Sequence, residues 1–156
     1  MILTRIPLRR LGEAESSIEH LNQDGAWIKG LDWEHATVVM DKGATEMSVR
    51  YHAAQKQWVA LQRKNGFASS EVIVRTAPEL SGPWSAPRTM FRFPEMTAGA
   101  AQFDKNTFCC AAKEQSQLQS SPGNIVFTYV CNSSNFGKQI VNMAIYRPQI
   151  AASQLQ

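Results

Sequence analysis

Glu46, Ser48 and Arg50 occupy every second position of "EMSVRYH", so they share one face if this segment is a strand. A carboxylate, a hydroxyl and a guanidinium facing one way could serve as an acid with two polar contacts for a ligand. They could equally form an ion pair between Glu46 and Arg50, the commoner use of such a face. Lys113 and Glu114 end the segment "TFCCAAKE", and Tyr129 and Asn132 lie on the next segment and its exit. These four are further polar candidates, although a charged strand end is usually solvated, a tyrosine is often core and an asparagine often a turn. His20, His35 and His52 do not cluster, and each has a neighbour suited to ordinary hydrogen bonding. No cysteine or histidine group has zinc-ligand spacing, and there is no phosphate-cradling glycine loop, nucleophile elbow or calcium loop. Neither a metal nor a cofactor is expected.

The elements that must position these side chains read as strands. Period-two alternation recurs in "MSVRYHA" from Met47, "QWVALQ" from Gln57, "EVIVRTA" from Glu71, "TMFRF" from Thr89, "TFCCAA" from Thr107, "NIVFTYVCN" from Asn124 and "NMAIYRP" from Asn142. Turn chemistry separates them at Lys64-Asn65-Gly66, Ser81-Gly82-Pro83, Ser121-Pro122-Gly123 and Asn135-Phe136-Gly137. Asp24-Gly25 and Asp41-Lys42-Gly43 are also turn signals. "RLGEAESSIEHLN" lacks a full apolar face and reads as a loop or a single turn leading into "AWIKGL". The expected class is all-β.

Three segments repeat: "LTRIP" at Leu3, "IVRTAP" at Ile73 and "AIYRP" at Ala144 place Arg5, Arg75 and Arg147 at intervals of 70 and 72 residues. A regularly recurring multi-strand unit points to radial repetition. One unit would be an inner strand, a second strand, an Arg-bearing third strand and an outer strand reached through a tryptophan corner. Gly82-Pro83-Trp84 and Gly25-Ala26-Trp27 are the two candidate corners, and Trp84 would pack between neighbouring units. This predicts a partial β-propeller of about two antiparallel four-stranded blades. Residues 1–44 would supply the third and outer strands of a preceding blade, 45–93 a complete blade, 94–150 a last and partly complete one, and 151–156 a tail. Closed propellers have at least four blades, so the reading implies a fragment with open β edges that favour self-association.

The 156 residues carry a net charge of +3 without a basic run, and 44% are hydrophobic. That gives one ordinary domain and suggests neither nucleic acid nor a membrane surface as a partner. No stretch approaches the roughly 20 apolar residues of a membrane span, and the amino terminus has Pro7 and charges where a secretory signal needs an unbroken apolar core. Cys109, Cys110 and Cys131 leave one thiol unpaired in any pairing. Buried free thiols are the expectation, with a bridge across neighbouring strands as the alternative in an oxidising compartment. Asn132-Ser133-Ser134 fits the glycosylation acceptor pattern, a weak hint of secretion.

"TEMSVRYHAAQKQWVALQ", "IVRTAPELSGPWSAPRTMFRFPE" and the segments "IVFTYVCNSSNFG" and "NMAIYRP" together resemble the carboxy-terminal blades of a five-bladed propeller family. That family is catalogued as a domain of unknown function, and some of its members are described as endo-D-arabinanases. The resemblance covers nearly the whole chain and implies an extracellular, carbohydrate-active, glycoside-hydrolase-like fold, with carboxylates from several inner strands converging around a furanose sugar. One acid would protonate the leaving oxygen while another activates water or attacks the anomeric carbon. On that pattern Glu46 is the acid or a sugar-hydroxyl acceptor, and Ser48, Arg50, Lys113, Glu114, Tyr129 and Asn132 are substrate contacts. Its ligand would be a polysaccharide or oligosaccharide of furanoside or arabinan type. Where the family carries a His-Pro element after the last inner strand, this chain has Gln115 and Ser116. The carboxylate expected from the first blades has no counterpart here, which implies a chain that is incomplete or inactive alone. The alternative is a non-catalytic carbohydrate-binding or self-associating module.

Overall fold

The computed structural model describes residues 1–64, 69–119, 121 and 123–155. The chain is all-β and forms three antiparallel sheets in sequence order. The first joins β1 (Thr4–Arg5), β2 (Glu19–Leu21) and β3 (Trp27–Lys29), the second joins β4 (Met47–His52), β5 (Gln57–Arg63), β6 (Glu71–Ala77) and β7 (Arg88–Arg92), and the third has the order β10-β9-β8. In that third sheet β8 is Thr107–Glu114, β9 is Asn124–Ser133 and β10 is Gln149–Gln154.

The second sheet is a simple meander in which each strand pairs antiparallel with the next. Ala53 to Lys56 closes β4 onto β5, with Lys56 at a φ of 52°. The expected turn residues Asn65 and Gly66 lie outside the described residues, as does Pro122. Between β6 and β7 the chain turns at Gly82, whose φ of +98° suits only glycine, and a side-chain carbon there would lie 3.1 Å from the Trp84 nitrogen. Trp84 is half-buried and donates its indole N–H to the Leu80 carbonyl at 3.2 Å, so it braces its own corner.

The core lies between the second and third sheets. Val59, Leu61, Val72 and Val74 meet Cys109, Ala112, Ile125, Phe127 and Cys131, with Phe93 and Tyr129 stacked at 4.7 Å between ring centres. Burial of this apolar area is the main stabilising contribution, at roughly 25 cal/mol per Å² removed from water. The segment from Asp41 to Ala44, which leads from the first sheet to the second, is tied on by polar contacts. The side chain of Gln62, 1% exposed, donates to the Lys42 carbonyl and accepts from the Ala44 N–H. Arg75, buried on β6, pairs with Asp41 at 2.9 Å.

Four expectations need correction. The expected strand at Asn142 is absent: Asn135 caps a short helix, α1 (Phe136–Val141), and the chain then turns through Met143 to Arg147 before β10 begins. Arg147 therefore lies before the strand and does not repeat the placement of Arg5 and Arg75. Residues 151–154, read as part of a tail, continue β10, which pairs with β9 along its length. The segment from Arg10 to Asn22 has the expected single helical turn after a 3₁₀ stretch, but β2 follows it, so Trp27 is no corner and begins the second arm of a hairpin whose turn is made by Asp24 and Gly25. Finally, Cys109 and Cys131 sit directly opposite each other on β8 and β9 and form a disulfide, leaving Cys110 as the free thiol. Burial made free thiols the expectation; cross-strand register brought two sulfurs together instead.

Candidate functional site

β8 carries a bulge, and that irregularity decides where its polar residues go. Cys110 pairs with Val130 and Lys113 with Thr128, so Ala111 and Ala112 together face the single residue Tyr129. Ala111 takes a φ of 55°. A bulge of this kind reverses the alternation beyond it. Counted from buried Cys109, regular alternation turns Lys113 inward and Glu114 outward, whereas in the structure Lys113 is exposed and Glu114 is 3% exposed.

The backbone groups freed by the bulge are satisfied from β4. Glu46 Oε2 accepts the Ala111 N–H at 3.1 Å, and Ser48 Oγ accepts the Glu114 N–H at 2.9 Å. β4 and β8 are each the edge strand of their sheet, and they meet through these side-chain bonds in place of a ladder. Two unpaired edges are thereby covered without the sheets merging. From β5, Arg63 Nη1 donates to the Cys109 carbonyl at 2.7 Å. The Cys110 thiol faces Glu46, and its pKa is pushed up by burial and then by the nearby carboxylate, to which it is also hydrogen-bonded.

At the far end of β4, His52 Nε2 is hydrogen-bonded to Glu114 Oε2 at 3.3 Å with both side chains buried, while Oε1, 3.0 Å away, has no hydrogen-bond partner. An ionised carboxylate only accepts, so the imidazole donates through Nε2 and the tautomer is set. Nothing local in the sequence links His52 to Glu114, its partner 62 positions away, so spacing alone marks it as an ordinary histidine. Arg50, exposed on β4, makes no ion pair with Glu46; the expected pairing is absent, since the Glu46 carboxylate is turned to β8.

Glu46, Ser48 and Glu114 are thus brought to one seam, with Arg50 beside its far end. Lys113 is next to the seam but turned to solvent. Tyr129 and Asn132 lie elsewhere. Tyr129 is 4% exposed in the core, its hydroxyl donates to Glu95 at 3.2 Å, and its pKa is pushed up by burial and then by that carboxylate. Asn132 accepts from the Ser133 N–H at 2.8 Å and the Gln139 amide at 2.7 Å. Glu95 also approaches the sulfurs of Cys109 and Cys131. Their disulfide leaves no thiolate there to hold a metal.

An all-β chain of antiparallel meanders with a polar seam between two edge strands is the class defined by this geometry. Residues 1–122 match the model of a domain of unknown function, DUF4185, and the chain belongs to that family. No curated protein is significantly similar. Among solved structures, the fold is similar to the crystal structure described as "a putative hydrolase from Bacteroides ovatus ATCC 8483", with a TM-score of 0.67 over 96% of this chain at 16% identity. The chain spans 38% of the length of that structure.

Proposed function

We propose that this chain is part of a carbohydrate-active, glycoside-hydrolase-like β-propeller of five blades, acting on a furanoside or arabinan-type polysaccharide. The observation that carries the reading is the β4–β8 seam. Two successive meanders each begin with an edge strand, and these first strands meet through Glu46 and Ser48, as inner strands of neighbouring blades do around a propeller axis. The resemblance to a family with endo-D-arabinanase members supports the substrate class. The larger size of the similar solved structure supports a ring completed by blades beyond these residues.

In this reading Glu46 is the acid that protonates the leaving oxygen, or the acceptor of a sugar hydroxyl. Ser48, Arg50 and Glu114 contact the substrate along the seam, with Lys113 beside it. Tyr129, bonded to Glu95 in the core, and Asn132 on β9, bonded to Gln139, are contacts that the family resemblance implies and lie away from this wall. The second carboxylate comes from the remaining blades. Glu46→Gln is then expected to abolish hydrolysis of furanoside polymers by the full protein without loss of folding. Unchanged turnover would sink the assignment.

A second reading is favoured by one observation: the Glu46 carboxylate is already engaged by the Ala111 N–H, a structural use of that group. The chain would then be a non-catalytic carbohydrate-binding or self-associating module. Polymer binding or a multimer by light scattering, each without turnover, is what it predicts.

A further inference from the structure

An open cavity of about 690 Å³ lies at the far end of β4 from Glu46, which does not line it. Its walls include Arg50, Tyr51, His52, Gln55, Trp58 and Glu114. The volume falls within the range of small-ligand sites.

Three features suggest what would fit. First, the cavity holds a built polar group, because His52 and Glu114 are 7% and 3% exposed and bonded to each other. With Nε2 committed to Glu114, Nδ1 is left to bond a ligand hydroxyl, and no described residue is hydrogen-bonded to it. Second, the Arg50 guanidinium stands exposed at the cavity and the Gln55 side-chain amide half-buried there, neither paired with a side chain or carbonyl among the described residues. A guanidinium binds a carboxylate through two parallel hydrogen bonds, a geometry that a neutral hydroxyl cannot reproduce. Third, Tyr51 and Trp58 pack edge to face at 5.5 Å and give the same cavity an aromatic side. Such a surface suits the apolar face of a sugar ring, while Gln55 and His52 suit its hydroxyls.

We propose that this cavity is a binding site for a uronic acid, a sugar ring bearing one carboxylate. Arg50 takes the carboxylate, the aromatic pair takes the ring, and the Glu114-held imidazole of His52 bonds a hydroxyl. The inference rests on the carbohydrate reading for the ring and adds the anion. It does not depend on hydrolysis at Glu46.

The test is isothermal titration calorimetry of the purified protein with galacturonate and with galactose, which differ only in the carboxylate, and with inorganic phosphate as a plain anion. Galacturonate is expected to bind at least tenfold more tightly than galactose. Arg50→Gln should remove that preference, and Tyr51→Ala should weaken both sugars about tenfold. Unchanged thermal melts would establish that both exposed-site variants are folded. Equal affinities for galactose and galacturonate would overturn the anionic specificity and leave the carbohydrate reading standing. Phosphate that binds as tightly as galacturonate and displaces it would mark a general anion site and overturn the sugar class. No binding of any probe at about 10 mM, weaker than roughly 3 kcal/mol, would overturn the site altogether. In that last case binding to arabinan polymers and the Glu46→Gln assay still decide the carbohydrate reading separately.

Discussion

Glu46 and Ala111, 65 positions apart, are joined by a 3.1 Å bond from the Ala111 N–H to the Glu46 carboxylate. It satisfies an N–H of the bulge beyond which Glu114 turns toward His52, so one side chain just before β4 bonds the irregularity that sets the alternation at the end of β8. The residue that the sequence offers as a candidate acid is therefore also a structural residue of the fold.

That double role separates two variants. Glu46→Gln keeps a side-chain oxygen able to accept the Ala111 N–H, so its chemical denaturation midpoint should stay close to that of the wild type. Glu46→Ala removes the partner of the N–H and, because this bond is exposed, is expected to lose about 0.5 to 1.5 kcal/mol. Equal stabilities for the two would mean that water replaces the carboxylate and that the bond does not hold the bulge.

Cys110 offers an independent probe of the same carboxylate. Its thiol pKa is raised by burial first and by Glu46 second, with Arg63 opposing. The thiolate is the reactive form, so alkylation at neutral pH should be slower than for an ordinary exposed cysteine and should accelerate as the pH rises. Glu46→Gln removes the charge and should shift the rate profile to lower pH. A profile that does not move would show that the thiol does not sense Glu46.

The order of the strands was legible because alternation and turn residues act locally. β4, β5, β6, β8 and β9 begin at Met47, Gln57, Glu71, Thr107 and Asn124, as the alternating segments predict. Short polar segments were harder to read. Glu19 to Leu21 shows too little alternation to mark a strand, and "NMAIYRP" alternates well enough to suggest one, yet Asn135 caps a helix just before it. Glu46 and Ser48 could be placed on one face from spacing alone. The pairing of His52 with Glu114 could not, because it depends on a bulge in one sheet and the docking of another. The arginine repeat was informative at Arg5 and Arg75, both on strands. It misled at Arg147, where a proline follows just as it does near the others while the backbone turns.

The Cys109–Cys131 bridge closes a sequence separation of 22 residues between two strands that already pair. Cross-linking a loop of this length restricts the unfolded chain and is worth about 3 kcal/mol in the chain-entropy model. Reduction, or Cys109→Ala with Cys131→Ala, should lower the melting temperature by roughly 6 to 12 °C for a domain of this size. Free-thiol titration of the denatured, unreduced protein should find the Cys110 thiol alone. Three reactive thiols and a melt indifferent to reductant would mean that the bridge does not form.

Acid should destabilise the fold through Glu71 and Asp104. The Lys64 ammonium, hydrogen-bonded to Glu71, holds that carboxyl below the usual range, and Arg92 adds to the effect at 2.5 Å. Lys138 does the same for Asp104, with help from the Asn106 N–H. A carboxyl whose folded pKa is depressed binds its proton more readily in the unfolded chain. Its contribution is therefore fully present above the unfolded pKa and is lost as the pH falls through the folded one. Stability measured by urea unfolding should be flat near neutrality and decline as the pH drops into the ordinary carboxylate range and below it. Glu71→Gln and Asp104→Asn should each make that decline shallower, and added salt should weaken the effect because Lys64 and Lys138 are solvent-exposed. An acid limb of unchanged slope in both variants would assign the decline to other carboxylates.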